Sequence, residues 1–559
     1  MLTMMMTGIA LAILASAMAW SANSTRLTHR SIQYNRSVVA AEAATEKVLT
    51  KISQDYSRGG EAMVSANLTS YRAIVPNSTD SSYWGNWQFN NASGVINQTF
   101  VQGSAPGPFA LLSSGFSSLR GFSTVYTVVA HAKEIAKLHN VEAGVLQQIT
   151  LSRVPVFQYM MYSFGDMEIS CGQDFRITGQ VHANKTLYLE PDKILTFQSA
   201  VTAVTGIKLQ RHPDDTRATP NGSVVYERTD LVNPSASAVE LPIGDTFTPA
   251  AVREIVQPPP AGGDTNAELA RLRYYNQADM IIVVSNSGVS ATSGKSDSFA
   301  TSVPASELAT IVTTTNGFKD WREEKDVKPL DINVGALAAW SSTNTNLKRI
   351  SSVYVLDRRT TLTGSQLAAV RLVNGATLPA GGLTVATARP LYVLGNYNQT
   401  NAAYLGTTNT TATKPASLVA DAVTILSTNW TDANSTKSAT SDRPAKPTTV
   451  NAAILTGVVE TTPGKYSGGM ENFPRFLESW GSANIFTYNG SMIKMFPSLY
   501  ATNVWGKSSV YDPPKRNWAY DLNFNTAAGL PPLTPSFVLV KRGAWATVPP
   551  NTTVAAAAY

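Results

Sequence analysis

The first twenty positions, Met1 to Trp20, are apolar or small and carry no charged side chain and no Pro; the first charged side chain is Arg26. At about 1.5 Å per residue such a run covers roughly 30 Å, the hydrocarbon thickness of a bilayer. Beyond it the pattern turns amphipathic without a stop, since neither Pro nor Gly stands between Arg26 and Ser57. This predicts a single helix, Met1 to Tyr56, apolar in its first half and two-faced in its second. Tyr34, Val38, Ala41, Thr45, Val48 and Ile52 follow one another at alternating steps of four and three, a seam of the a/d type, while Arg36, Glu42, Glu46, Lys47 and Lys51 fall outside it. Those six are the candidate helix-packing and assembly residues. Ala40, Ala41, Ala43 and Ala44 at the centre leave room for another backbone to approach. A signal anchor followed by an ordinary surface helix would write the same periodicity.

After the helix the pattern changes period. Gly59 to Phe122 is loop-rich and carries Tyr83, Trp84, Trp87 and Phe89, an aromatic cluster that suits either a sugar platform or local core. Ser123 to Ala132 and Gln147 to Val156 alternate and are β-branched, as strands are. From Phe157 onward short alternating runs end in Gly, Asn or Asp, with Ile177, Val181, Leu187, Leu189, Leu195, Phe197 and Val201 as candidate core. Such strands suit the stacked coils of a parallel β-helix, although no strict repeat is visible and an antiparallel sandwich would write a similar pattern. Arg211 to Gly263 is polar and Pro-rich and reads as an insertion. Asn266 to Tyr275 reads as a short helix, Asp279 to Ser285 as a buried strand, and Gly468 to Trp480 as a short helix capping an open end of the β stack.

Composition supports a β-rich body: of 559 residues 15% are charged and 9% aromatic, with 37 Gly and 30 Pro supplying turns. The net charge of +6 is spread over 44 basic and 38 acidic residues with no long basic run, which gives nucleic-acid binding no support. Cys171 is the only cysteine, so an intrachain disulfide and a multi-Cys zinc site are both excluded.

The stretch Asn35 to Leu49, NRSVVAAEAATEKVL, running straight out of an apolar segment, resembles the N-terminal region of PilX-type minor pilins of the type IV pilus and type II secretion class. The resemblance covers about the first 55 residues. It implies a membrane-resident half-helix joined to a soluble head, pilin or pseudopilin subunits and the inner membrane as partners, and an extracytoplasmic head or assembly into a surface pilus. It also implies a charged leader ending in Gly and an acidic residue at the fifth mature position; this sequence begins within the apolar run and has Met5 there. Arg26, Arg30 and Arg36 after the run would, by the positive-inside rule, hold the large C-terminal part in the cytoplasm, but long domains translocate largely regardless of charge. Gly165 to Leu189 resembles a "GxVHxNGxLY" phrase of large PilX-like and uncharacterised bacterial surface proteins, departing from it at Lys185. The expected fold is therefore mainly β with a long N-terminal α-helix: a pilin-like helix followed by a β-rich head that includes parallel β-helix coils. Its segments are 1–56, the transmembrane and amphipathic helix; 57–155, a small pilin-like α+β region; 156–350, β-rich with the insertion at 211–263; and 351–559, β-rich with the capping helix.

Reaction chemistry finds little footing. There is no GxxxxGK[ST], GxGxxG after a strand, HExxH, GxSxG or CxxC. His182 invites a metal-ligand reading, but His29, His131, His139 and His212 are distant in sequence, and a turn histidine making one hydrogen bond fits better. Phe318 to Leu337 is the densest charge cluster; its Asp320, Glu323, Glu324, Asp326 and Asp331 could serve glycoside hydrolysis, but Lys319, Arg322, Lys325 and Lys328 interleave as on a solvated ion-paired surface. No catalytic residue, cofactor or metal is expected. The chain reads as a non-enzymatic structural subunit. The alternatives are a tethered adhesin or glycan-binding protein, with a surface glycan or protein ligand, and a β-helix enzyme acting on polysaccharides.

Overall fold

In the computed structural model, residues 1–91, 93–112, 118–135, 140–244, 247–293, 301–343, 349–481, 483–506 and 509–549 are described; His139 lies outside them. A long N-terminal helix, Leu2–Ala66, is followed by a β-rich head. The helix runs past its expected end: Gly60, at φ 63°, breaks the regular backbone, and helical turns resume to Ala66. The chain divides into two compact units, residues 1–108, 122–153 and 538–559 forming one and residues 109–121 and 154–537 the other.

In the first unit the helix lies against an antiparallel sheet. Arg120–Glu134 pairs with Glu142–Pro155 from Phe122 opposite Arg153 to Lys133 opposite Glu142. Trp87–Asn90 and Phe100–Gly103 pair along the other edge of Arg120–Glu134, and Ser536–Val548, from the far end of the chain, lies beside Glu142–Pro155. Val48, Leu49, Ile52 and Tyr56 of the helix pack with Tyr126, Val128, Ile149 and Leu151 of the sheet. Ala40, Ala41 and Ala44 meet Ala130, Ala132 and Val145, with Trp87 and Phe89 closing that cluster. Small side chains on both surfaces let helix and sheet approach closely. Ion pairs Arg36–Glu134 (3.0 Å) and Arg542–Glu46 (2.7 Å) and the bond from Ser37 Oγ to the Val141 carbonyl (2.9 Å) fix the docking.

The second unit is a stack of parallel coils. One sheet runs the whole stack, and one apolar row follows it in register: Met280, Val353, Val385, Leu418, Ile454, Met492, Met161, Val181, Val201. All nine belong to a single core cluster. The order shows that the chain enters its own stack in the middle. Tyr159–Ser163 lies next to Ile485–Pro497; the following coils build outward to Val232–Asn233; the chain then resumes at the opposite end with Met280–Ser285 and builds back toward its starting point. The earliest coils keep a strict period. Met161 pairs with Val181 and Val181 with Val201, Met167 with Leu187 and Leu187 with Ile207, and Phe175 with Leu195, each step being 20 residues. The later coils are longer and unequal.

Residues 234–279 must therefore return along the stack. Eight strands of the sheet stand between Val232–Asn233 and Met280–Ser285, a distance of roughly 43 Å at about 4.8 Å per strand. The stretch expected as an insertion is in part a coil strand, Ser223–Tyr226, and in part this strap. Val239 exchanges hydrogen bonds with the Asn184 side chain, Arg253 pairs with Asp421 at 2.7 Å, and the Val256 carbonyl accepts from Tyr354 Oη at 2.8 Å, three fastenings in stack order. Arg273, 1% exposed, ties the strap to itself through Asp264 at 2.6 Å and the carbonyls of Glu254, Gln257 and Pro258. Asn266 caps the short helix Ala267–Leu272. The boundary expected near residue 350 falls inside this continuous stack.

The capping helix expected over Gly468 to Trp480 is not a helix. Pro474 cannot continue one and Gly469 sits at φ 66°; the segment makes one 3-10 turn, Met470–Asn472, and the strand Arg475–Phe476, which pairs with Thr424–Ile425 inside the stack. Phe473, Phe476, Leu477 and Trp480 are buried there. At the Met280–Ser285 end, antiparallel strands Gly288–Ser293 and Thr301–Ser302 continue the sheet.

Candidate functional site

Two regions combine unusual chemistry with defined geometry: the surface of the long helix and a polar junction inside the coil stack.

Along the helix the surroundings change abruptly. Every residue from Leu2 to Ile32 is exposed, including Ile9, Leu11, Ile13, Leu14 and Trp20. This half is long and apolar enough to cross a membrane, and its most apolar window has no part buried. From Ser37 a stripe is covered by the sheet of the same unit. Of the six seam residues, Ala41, Thr45, Val48 and Ile52 are buried in that contact, Val38 is half-buried beside it, and Tyr34 is exposed. The stripe is wider than the seam, taking in Ala40, Ala44, Leu49 and Tyr56. On the opposite side Val39 remains 62% exposed. Near the end of the covered part, Asp55 is 2% exposed; burial pushes its carboxyl up, but hydrogen bonds from Lys51, Tyr71 and Asn67 outweigh this and hold it below the ordinary carboxylate value.

The second region lies where the coil holding Tyr159–Ser163 meets the coil holding Ile485–Pro497. The charge cluster of Phe318 to Leu337 feeds into it, and here the expectation of a solvated surface needs correction. Asp320, Arg322 and Glu323 are buried, while Glu324 and Asp326 are exposed. The buried part follows from partners distant in sequence. Asp320 accepts from Tyr392 Oη at 2.7 Å and from two backbone amides, and Glu323 pairs with Arg475 at 2.6 Å. Arg371 bridges Asp331 and Asp432 at 2.7 and 2.6 Å. Burial, and then the neighbouring Arg475 charge, push the Arg322 guanidinium down to about 9, so it stays cationic at neutral pH.

Other acids of this region were not legible as site residues. Glu168 on the strand Met167–Ile169 accepts from Thr461 and Ser467, and burial raises its carboxyl. Glu471 accepts from Tyr466 Oη at 2.9 Å and from the Ser170 amide at 3.3 Å; burial pushes it up to about 7. Glu478, held by the amide and hydroxyl of Ser427, is likewise pushed up to about 7 by burial. Their sequence signal is faint: Glu168 alternates with apolar neighbours as a solvent-facing strand residue does. Lys494 pairs with Glu460 at 2.8 Å.

His182 stands on the strand Gln180–Ala183, bonded through its two ring nitrogens to Thr202 and Asn184 at 2.8 and 2.9 Å; burial pushes it down to about 4. No grouping of three His, Cys, Asp or Glu residues suited to a metal occurs among the described residues. Trp87 and Phe89 are core, Trp84 packs against them, and Tyr83 is 45% exposed.

No protein-family model matches the chain, and no curated protein matches it. Among solved structures, the competence-associated pilin ComZ from Thermus thermophilus matches at 10% identity and a TM-score of 0.29, over 92% of this chain and 98% of that one. So low a likeness carries no argument by itself.

Proposed function

We propose that this chain is a structural subunit of the pilin type: a membrane-anchored, PilX-like minor pilin of a type IV pilus or of a secretion pseudopilus. Its helix packs with other pilin or pseudopilin helices, and its head stands outside the inner membrane or at the filament surface. The stacked coils, which we read as a parallel β-helix, are the display body. The observation that carries the reading is the division of one helix into two environments. Residues 37–64 bury a stripe on their own sheet, whereas the exposed apolar half before them has no cover among the described residues and needs lipid or neighbouring helices.

The division also selects the test. A charge at Val48 would strike the unit's own core, whereas Val39 and Ile32, 62% and 50% exposed, can change without disturbing it. Val39→Glu and Ile32→Glu should leave head folding and protease resistance intact and reduce incorporation into filaments at least tenfold. Undiminished incorporation of both variants refutes the filament role. If surface ligand binding by the same variants is also kept, the tethered adhesin takes its place.

A further inference from the structure

The coil stack is laddered without a break on one side, but not on the next. There, among the described residues, Arg475–Phe476 pairs only with Thr424–Ile425, and Met167–Ile169 only with Thr186–Leu189. At this missing rung the Glu471 carboxylate takes the Ser170 amide, and a cavity of about 20 Å³ remains, lined by Met167, Glu168, Arg322, Phe473, Arg475 and Lys494 among others.

The hydrogen-bond donors around it are not all satisfied. Arg475 is committed to Glu323 and to the Ala501 carbonyl, and Lys494 to Glu460 and the Asp166 carbonyl. Glu168 already accepts two hydroxyls, and burial favours its neutral form. Arg322 differs from all of them. It is 3% exposed, and its Nε and Nη1 are buried with no hydrogen-bond partner. The carboxylates nearest it in sequence, Asp320 and Glu323, already hold other partners. Asp320 and Glu323 favour its charge through space, but neither hydrogen-bonds its Nε or Nη1, and buried N–H groups left unpartnered are costly.

We propose that this junction is a binding site for one small monovalent anion of chloride size, held by Arg322 with Arg475 and Lys494 around it. A single halide would accept from both orphan N–H groups. The cavity is of the order that holds one or two waters, so phosphate, sulfate and sugar acids are too large. Seated between the coil of Met167 and that of Phe473, the ion would stitch together two stretches of chain that fold from opposite directions. The site does not depend on the filament reading.

The test uses the full chain in detergent, with sodium chloride compared against sodium gluconate at equal ionic strength. Chloride should raise the unfolding midpoint with saturation, the folding equilibrium constant rising about a hundredfold when chloride is a hundred times its dissociation constant. Arg322→Met should abolish the chloride dependence, and crystals soaked in bromide should show an anomalous peak beside Arg322. Equal wild-type midpoints in the two salts, or a chloride effect that survives in Arg322→Met, overturns the proposal. If Arg322→Met does not fold, the wild-type salt comparison and the bromide peak decide: a cavity holding water alone refutes it.

Discussion

Replacing Glu471 by Gln tests whether the interior of the coil stack stores a titratable acid. Glu471 is 3% exposed and keeps two hydrogen-bond donors, Tyr466 Oη and the Ser170 amide. Burial, only partly offset by those bonds and by the Arg516 charge, pushes its carboxyl from 4.5 up to about 7. In the unfolded chain it ionises at the ordinary value, so the folded state binds this proton more tightly. The stabilisation is complete below pH 4.5 and is lost as pH rises from there to about 7. At about 1.4 kcal/mol per tenfold change in proton affinity, the loss amounts to ~3 kcal/mol. Glu471→Gln keeps the shape and one acceptor and removes the titration. Urea unfolding of the full chain in detergent, followed by tryptophan fluorescence at several pH values, should show the variant gaining ~3 kcal/mol on the wild type between pH 4.5 and pH 8. Glu478, also pushed up to about 7, titrates in both proteins and cancels from the difference. A difference that stays flat across this window, or that moves against the variant, refutes the reasoning.

Two further substitutions probe the packing. Ile52→Ala opens a void between the helix and its sheet, where Ile52 is wholly buried, and should cost roughly 2–5 kcal/mol of the first unit's stability, read as faster amide exchange in Arg120–Glu134 and Glu142–Pro155. Arg273→Met leaves the Asp264 carboxylate with only Asn276 as a donor among the described residues and three carbonyls of the strap without their guanidinium, and should cost roughly 3–5 kcal/mol, with limited proteolysis cutting first within residues 234–279. Wild-type cleavage patterns in that variant would show that the strap is held by other means.

The helix was legible because one unbroken period carried it. The apolar run and the steps from Tyr34 to Ile52 led to an element of the right kind, and four of the six seam residues are buried where it docks. Its end was misplaced because Gly60 bends this helix without ending it. Candidate core residues from Ile177 to Val201 are visible as alternation, yet the 20-residue period does not stand out along the sequence because only the first coils keep it; after Lys208 a loop lengthens the next coil, and later coils are unequal. The polar junction was hidden for a different reason. Glu323 needs Arg475, Glu168 needs Thr461, and Glu471 needs Ser170, pairings across long sequence distances that no local pattern encodes. Without those partners, the run from Phe318 to Leu337 looks like any charged surface.

The mid-stack entry of the chain sets a timetable for biosynthesis. Tyr159, in the first coil, touches Ser491, 332 residues later. At ordinary elongation rates that interval lasts roughly 20 to 60 seconds. Throughout it the coils of residues 159–233 stand finished on one side and bare on the other, presenting Met161 and the unpaired strand edge of Tyr159–Ser163 to whatever is near. A nascent chain of this design needs that edge shielded until residue 485 has been made, and one truncated before residue 485 should self-associate through it.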